Sequence, residues 1–142
     1  MIYTVGYEKR DLASFIELLR LHGVERLIDV RLTPLSRKPG FSKTKLGEAL
    51  AQVGIGYLHL RELGNPADNR DAFRAGDHGA VQRYRAKLDN GSRPAVEQVV
   101  DLAREQDVAM LCFEREHASC HRHVIADLAQ EMEPGLVVIP LE

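Results

Sequence analysis

The residues best suited to chemistry lie late in the chain. Cys112 and Glu114 are followed, after a short polar break, by Cys120, His121 and Arg122. The apolar run from Val108 to Phe113 gives way to charge here, and a helical pattern carrying Val124, Ile125, Leu128 and Ala129 then begins. A thiol at a helix N-terminus can have a depressed pKa and act as a nucleophile, which makes Cys120 a candidate. Cys112, inside the apolar run, reads as core. Glu114 and His121 are candidate acid–base groups. Arg122 sits at the positive end of the helix dipole, which is mildly unfavourable unless an anion is bound there. Helix N-termini and guanidinium groups both recognise phosphate and carboxylate. The plainer reading of Arg122 is an ion pair with Glu114 or Asp29. Cys120, His121, Glu114 and His59 have donor types that suit Zn²⁺. Cys-x7-Cys is not a zinc-knuckle spacing, however, and no HxxxH or CxxC motif supports a metal. No metal and no cofactor is expected.

A second group lies earlier. Asp29 interrupts the apolar run Leu27-Ile28-Asp29-Val30, where a carboxylate is costly to bury unless it is paired or hydrogen-bonded. Arg31 is a natural partner, because alternate strand residues share a face. Asp29 is therefore either a structural ion-pair member or a catalytic carboxylate, since perturbed carboxylates are enriched at functional sites. His59 is a further acid–base candidate. The stretch 31–45 carries Arg31, Arg37, Lys38, Lys43 and Lys45 and no acidic residue, leaving 14 basic against 21 acidic residues elsewhere. With Ser36, Ser42 and Phe41 it forms a plausible anion or nucleic-acid surface. Arg31, Ser36, Arg37 and Arg122 are the anion-binding candidates. Phe41 fits equally well as a core plug under the loop.

These residues need elements to position them. Ile2 to Val5, Leu27 to Val30, Ile55 to Leu60, Val108 to Phe113 and Leu136 to Ile139 read as strands. Helices are expected after Asp11, after Ser42, over Ala80–Leu88, from Pro94 to about Gln106 behind Ser92, and from about Cys120 to Glu131. Asn90-Gly91 reads as a turn. The polar stretch 61–79 is long for a loop and is expected to be functional or to hold short helices. Strands alternating with helices imply right-handed β-α-β units. The expectation is an α/β fold: a single three-layer domain over 1–142, with a mostly parallel sheet of about five strands and helices on both faces. Strand order is not legible. Parallel strands would bring all the candidate residues to one rim, where ligands bind in open α/β sheets.

The motifs Thr4-Val5-Gly6-Tyr7, Asp29-Val30-Arg31 with Pro34, Ser36-Arg37, Phe41, Gly54-Ile55 with Tyr57 and His59, Leu63-Gly64, Leu111-Cys112-Phe113-Glu114 and Cys120-His121-Arg122 run through nearly the whole chain. Together with Phe15, Leu18, Leu19, Leu46 and Leu50 they resemble domain of unknown function family 488, uncharacterised conserved bacterial and archaeal proteins. The resemblance implies an α/β domain with the motif residues around one pocket, and no established activity. Phe113 stands where members often carry a small residue, and would narrow that pocket if it points inward.

Bulk properties limit the function. A chain of 142 residues with 44% hydrophobic and 28% charged content fits one globular domain. A formal net charge of -2 argues against a general polyanion-coating protein. Two cysteines are too few for a disulfide scaffold. With no span-length apolar run and no signal-like N-terminus, the expected setting is cytoplasmic, with reduced thiols and no membrane partner. The leading expectation is a small enzyme acting on a phosphate-bearing, nucleotide-like ligand at the C-terminal edge of the sheet. The alternative is a non-catalytic module that binds nucleic acid or protein through the basic loop 31–45. Oligomeric state is not legible.

Overall fold

The computed structural model describes residues 1–142. Five strands form one all-parallel sheet: β1 (Ile2–Gly6), β2 (Arg26–Asp29), β3 (Gly56–His59), β4 (Val108–Cys112) and β5 (Val138–Leu141). Their order is β3-β2-β4-β1-β5. The helices are α1 (Leu12–Leu21), α2 (Lys43–Gln52), α3 (Ala67–Arg74), α4 (His78–Asn90), α5 (Arg93–Glu105) and α6 (Arg122–Met132). The α/β expectation therefore holds. The central strands β1 and β4 are buried along their whole length, as apolar runs covered on both faces must be.

Side-chain alternation divides the core. Tyr3, Val5, Leu27, Ala109 and Leu111 pack with Phe15 and Leu19 of α1, Leu46 and Leu50 of α2, and Phe41. Ile2, Ile28, Val108 and Met110 pack on the opposite face with Tyr84 and Leu88 of α4, Val96, Val99 and Val100 of α5, and Val124, Ile125 and Leu128 of α6. Helix α5 shows the pattern most clearly. Its valines recur at three- and four-residue spacing, and those positions are the buried ones.

Chain direction follows from this layering. From β1 the chain runs through α1 to β2 and through α2 to β3, working towards one edge. It then returns across the other face to β4 and on to β5 at the opposite edge. At the C-terminal ends of β1, β2 and β4 the outgoing chains thus leave for opposite faces. Such a switch point opens a crevice in doubly wound sheets.

Some local expectations hold and others are corrected. Asp11 caps α1, accepting from the Ser14 backbone N–H at 2.8 Å. Ser42 and Ser92 occupy N-cap positions without capping. The Ser42 hydroxyl bonds residue 36, and that of Ser92 donates to the Glu62 carbonyl at 2.6 Å. Helix α4 continues through Asn90, so the expected turn comes one residue later. Helix α6 starts at Arg122, not Cys120, and β5 lies two residues later than the apolar pattern suggests. Residues 61–79 hold a 3-10 turn, Arg61–Leu63, and all of α3. No helix is long and apolar enough to cross a membrane.

Candidate functional site

The parallel register sets Asp29 beside His59 on one side and Leu111 on the other. Asp29 is fully buried and every lone-pair direction is used. Its Oδ1 accepts the Arg31 backbone N–H at 3.1 Å and Nε at 2.8 Å. Its Oδ2 accepts Arg31 Nη2 at 2.7 Å and the Tyr57 hydroxyl at 2.5 Å. The remaining guanidinium nitrogen, Nη1, donates to the Phe41 carbonyl at 2.7 Å and to the Tyr7 hydroxyl at 3.4 Å. Burial alone would lower the pKa of Arg31, but its bonds to the Asp29 carboxylate outweigh that and raise it. Burial, and then the bond to Asp29, pushes the Tyr57 hydroxyl up. The His59 imidazole reaches the Arg31 carbonyl at 2.7 Å. Asp29 and His59 thus hold Arg31, and neither lies on the wall of the neighbouring cavity.

Phe41 is the core plug. It is fully buried, stacks on Tyr7 at 4.7 Å and meets Phe15 edge-on. Lys38 turns inward above it, donating to the carbonyls of Tyr7 and Arg10 at 2.7 Å each. The Ser36 hydroxyl is used within the loop, accepting from the Lys38 backbone N–H, while Arg37, Lys43 and Lys45 are exposed. Of the anion-binding candidates, only Arg31 lines the cavity. Ser36, Arg37 and Arg122 do not.

The cavity, about 240 Å³, lies at the crevice between the ends of β1, β2 and β4. One face of α3 forms its far wall with Arg70, Phe73 and Arg74. Arg74 pairs with Glu114 Oε1 at 2.8 Å. Arg70 donates Nε to the Asn65 carbonyl at 3.0 Å and has no carboxylate partner. Three arginines, Arg31, Arg70 and Arg74, therefore face the space against one acid, Glu114. Three aromatic rings, Tyr7, Phe73 and Phe113, share it. Phe113 lines the cavity mouth, meeting Tyr7 edge-on at 5.4 Å while staying 41% exposed.

Cys112 and His121 line the cavity, and Cys120, bonded to Cys112, does not. The expectation of free thiols is corrected: Cys112 and Cys120 form a disulfide and no free cysteine remains. In this form Cys120 is not a nucleophile, because its sulfur carries no ionisable proton. Cys112 is both buried, as expected of a core residue, and part of the cavity wall. Its Sγ lies 3.2 Å from Glu114 Oε2. The His121 Nε2 meets the Val30 carbonyl at 2.9 Å. A carbonyl only accepts, so Nε2 carries the proton and Nδ1 presents its lone pair to Cys120 Sγ, 3.6 Å away. Burial holds the His121 pKa down at about 4, so the ring is neutral at pH 7.

Arg122 is fully buried behind the 114–119 loop. Its Nη2 donates to the Glu114 carbonyl at 2.6 Å, and Nε and Nη1 have no partner. Burial lowers its pKa to about 10. It pins the loop that carries Glu114 and pairs with neither Glu114 nor Asp29 through their carboxylates. Gly6 completes that contact. A Cβ there would sit 1.8 Å from the Glu114 carbonyl oxygen. Only a residue without a side chain lets β1 approach the loop so closely.

Of the expected catalytic residues, the structure brings Glu114 and His121 to the cavity. The sequence reading missed Asn65, Arg70, Phe73 and Arg74. One signal was available: positions 70, 73 and 74 share a helix face. The family model for domain of unknown function DUF488 matches residues 11–129, and the chain belongs to that family. No curated protein and no solved structure matches it.

Proposed function

We propose that this DUF488 domain binds a small phosphate-bearing, nucleotide-like ligand in the crevice at the C-terminal edge of its sheet and acts on it there. The observation that carries the reading is Arg70, a guanidinium on the cavity wall without a carboxylate partner. Arginine recognises phosphate through its planar array of N–H donors. Arg31 and Arg74, each paired with a carboxylate, add guanidinium edges on the other sides and leave Arg70 as the uncompensated charge. Tyr7, Phe73 and Phe113 supply faces and edges for a planar ring. Acid–base work falls to Glu114 and the neutral His121, because Asp29 has no free lone-pair direction.

A second reading rests on a different observation. Arg37, Lys43 and Lys45 are exposed and unpaired on the loop and first turn beside the crevice. They suit a nucleic-acid backbone whose binding fades steeply with salt. A thermal-shift panel separates the two. Phosphate, mononucleotides, sugar phosphates and short oligonucleotides would each be tested at low and high salt. Ligand at 100 times its Kd stabilises by about 2.7 kcal/mol, roughly 9 °C for a domain of this size. The cavity reading predicts a salt-tolerant shift with a small phosphorylated ligand that Arg70→Ala abolishes. A shift confined to oligonucleotides, lost with salt and insensitive to Arg70→Ala, favours the loop and refutes the cavity.

A further inference from the structure

We propose that Cys112, Cys120, His121 and Glu114 form a redox-gated site for a thiophilic divalent cation of the Zn²⁺ class. The site opens when the disulfide is reduced and closes when it forms. The donor atoms of Cys112, Cys120 and His121 lie within 4.8 Å of one another. A tetrahedral centre with metal–sulfur bonds of about 2.3 Å and metal–nitrogen bonds of about 2.0 Å sets its donors roughly 3.5 Å apart. The pairs Cys120 Sγ to His121 Nδ1 at 3.6 Å and Cys112 Sγ to Glu114 Oε2 at 3.2 Å are close to that spacing.

Orientation supports the same conclusion. His121 gives its Nε2 proton to the Val30 carbonyl and turns the Nδ1 lone pair towards the sulfurs. Metal-bound histidines are oriented in this way by an outer partner on the other nitrogen. Glu114 is divided similarly: Oε1 is fixed by Arg74, and Oε2 faces Cys112. Cys112 lines the cavity, which gives an ion a route in. The set combines two thiolates, an imidazole and a carboxylate, donor types that suit zinc.

Thiolates bind metal and disulfides do so poorly, so reduction must come first. Two thiol molecules supply the two electrons. The first, as thiolate, attacks Cys112 Sγ, the sulfur on the cavity wall, and Cys120 leaves as a thiolate beside the N-terminus of α6. The second attacks the mixed disulfide, releasing the small-molecule disulfide and the Cys112 thiolate. Metal then binds the two thiolates, so their protons go to solvent. Ion binding would also occupy Glu114 and His121, and the redox state would decide whether either is free for acid–base work. The donor geometry argues for the metal independently of which ligand fills the cavity.

The test is equilibrium dialysis of the full chain against Zn²⁺, before and after reduction by a trialkylphosphine. The phosphine takes up the oxygen of a water molecule as the disulfide becomes two thiols, and contributes no competing thiol. The expected result is one Zn²⁺ retained per reduced chain and none by the oxidised chain. Affinity should fall at least tenfold in Cys112→Ser and in Cys120→Ser. Co²⁺ in place of Zn²⁺ should give thiolate-to-metal charge-transfer absorption in the reduced wild type alone. That readout needs no variant to fold. A disulfide that resists reduction in the folded protein, a reduced chain that retains no Zn²⁺, or equal retention by both forms would each overturn the proposal.

Discussion

Substituting Asn for Asp29 probes the site where its electrostatics are tightest. Asn keeps the size of Asp and one carbonyl oxygen but removes the charge that faces Arg31. Both partners are shielded, with side-chain exposures of 0% for Asp29 and 7% for Arg31. Breaking a buried pair by removing one partner costs about 3–5 kcal/mol, because the other charge stays buried and uncompensated. A domain of this size has an unfolding entropy of about 0.3 kcal/mol/K, so the melting temperature should drop by roughly 10–17 °C. Urea unfolding of Asp29→Leu, Arg31→Met and Asp29→Leu/Arg31→Met, measured beside Asp29→Asn, would complete a double-mutant cycle. The double variant should recover a substantial part of the loss, because it buries no unpaired charge. It should not recover all of it, because the Tyr57 hydroxyl and the Phe41 carbonyl lose their partners. A loss under 1 kcal/mol in Asp29→Asn, or a double variant no more stable than the sum of the singles predicts, would refute the bracing role.

Three further outcomes follow from the same geometry. Gly6→Ala would force β1 and the Glu114 loop apart, because its Cβ meets backbone at 1.8 Å; chemical denaturation should show a loss of about 1–3 kcal/mol. His117 and His121 are both held at about 4, against 6.5 in the unfolded chain, chiefly by burial. The unfolded chain therefore takes up protons first as pH falls. Their contribution is complete above about pH 6.5 and is lost between 6.5 and 4, so the urea midpoint should decline across that window and decline less in His117→Gln. Arg70→Ala should weaken small-anion affinity in isothermal titration at least tenfold, and Arg122→Met should weaken it less, since Arg122 is off the cavity wall and acts only through the Glu114 loop that it pins.

The pairing of Asp29 with Arg31 was legible because a buried carboxylate must find a partner, and Arg31, two residues on and just past the end of β2, is the nearest cation in the chain. The α/β class followed from alternating strand and helix patterns. Helix α3 escaped because its apolar signal is reduced to little more than Phe73 among charged residues, so periodicity had nothing to act on. Its cationic face is where much of the cavity wall lies. The caps at Ser42 and Ser92 failed for a different reason: each hydroxyl found a better acceptor distant from its own helix, and a local rule cannot anticipate that competition. Arg122, at a helix N-terminus, suits either a bound anion or an ion pair with Glu114 or Asp29. The fold instead directs its guanidinium to the Glu114 carbonyl, a contact made possible by Gly6 on another strand. The Cys112–Cys120 bond likewise depends on how tightly the loop after β4 folds back onto α6.

Whether the crevice at the ends of β1, β2 and β4 takes the ligand can be read residue by residue in an amide NMR titration with a nucleoside monophosphate. Saturable shifts should concentrate at Arg31, Thr33, Asn65, Arg70, Phe73 and Phe113, and should be lost in Arg70→Ala. Shifts confined to residues 37–45, or no saturable shift anywhere, would contradict binding there.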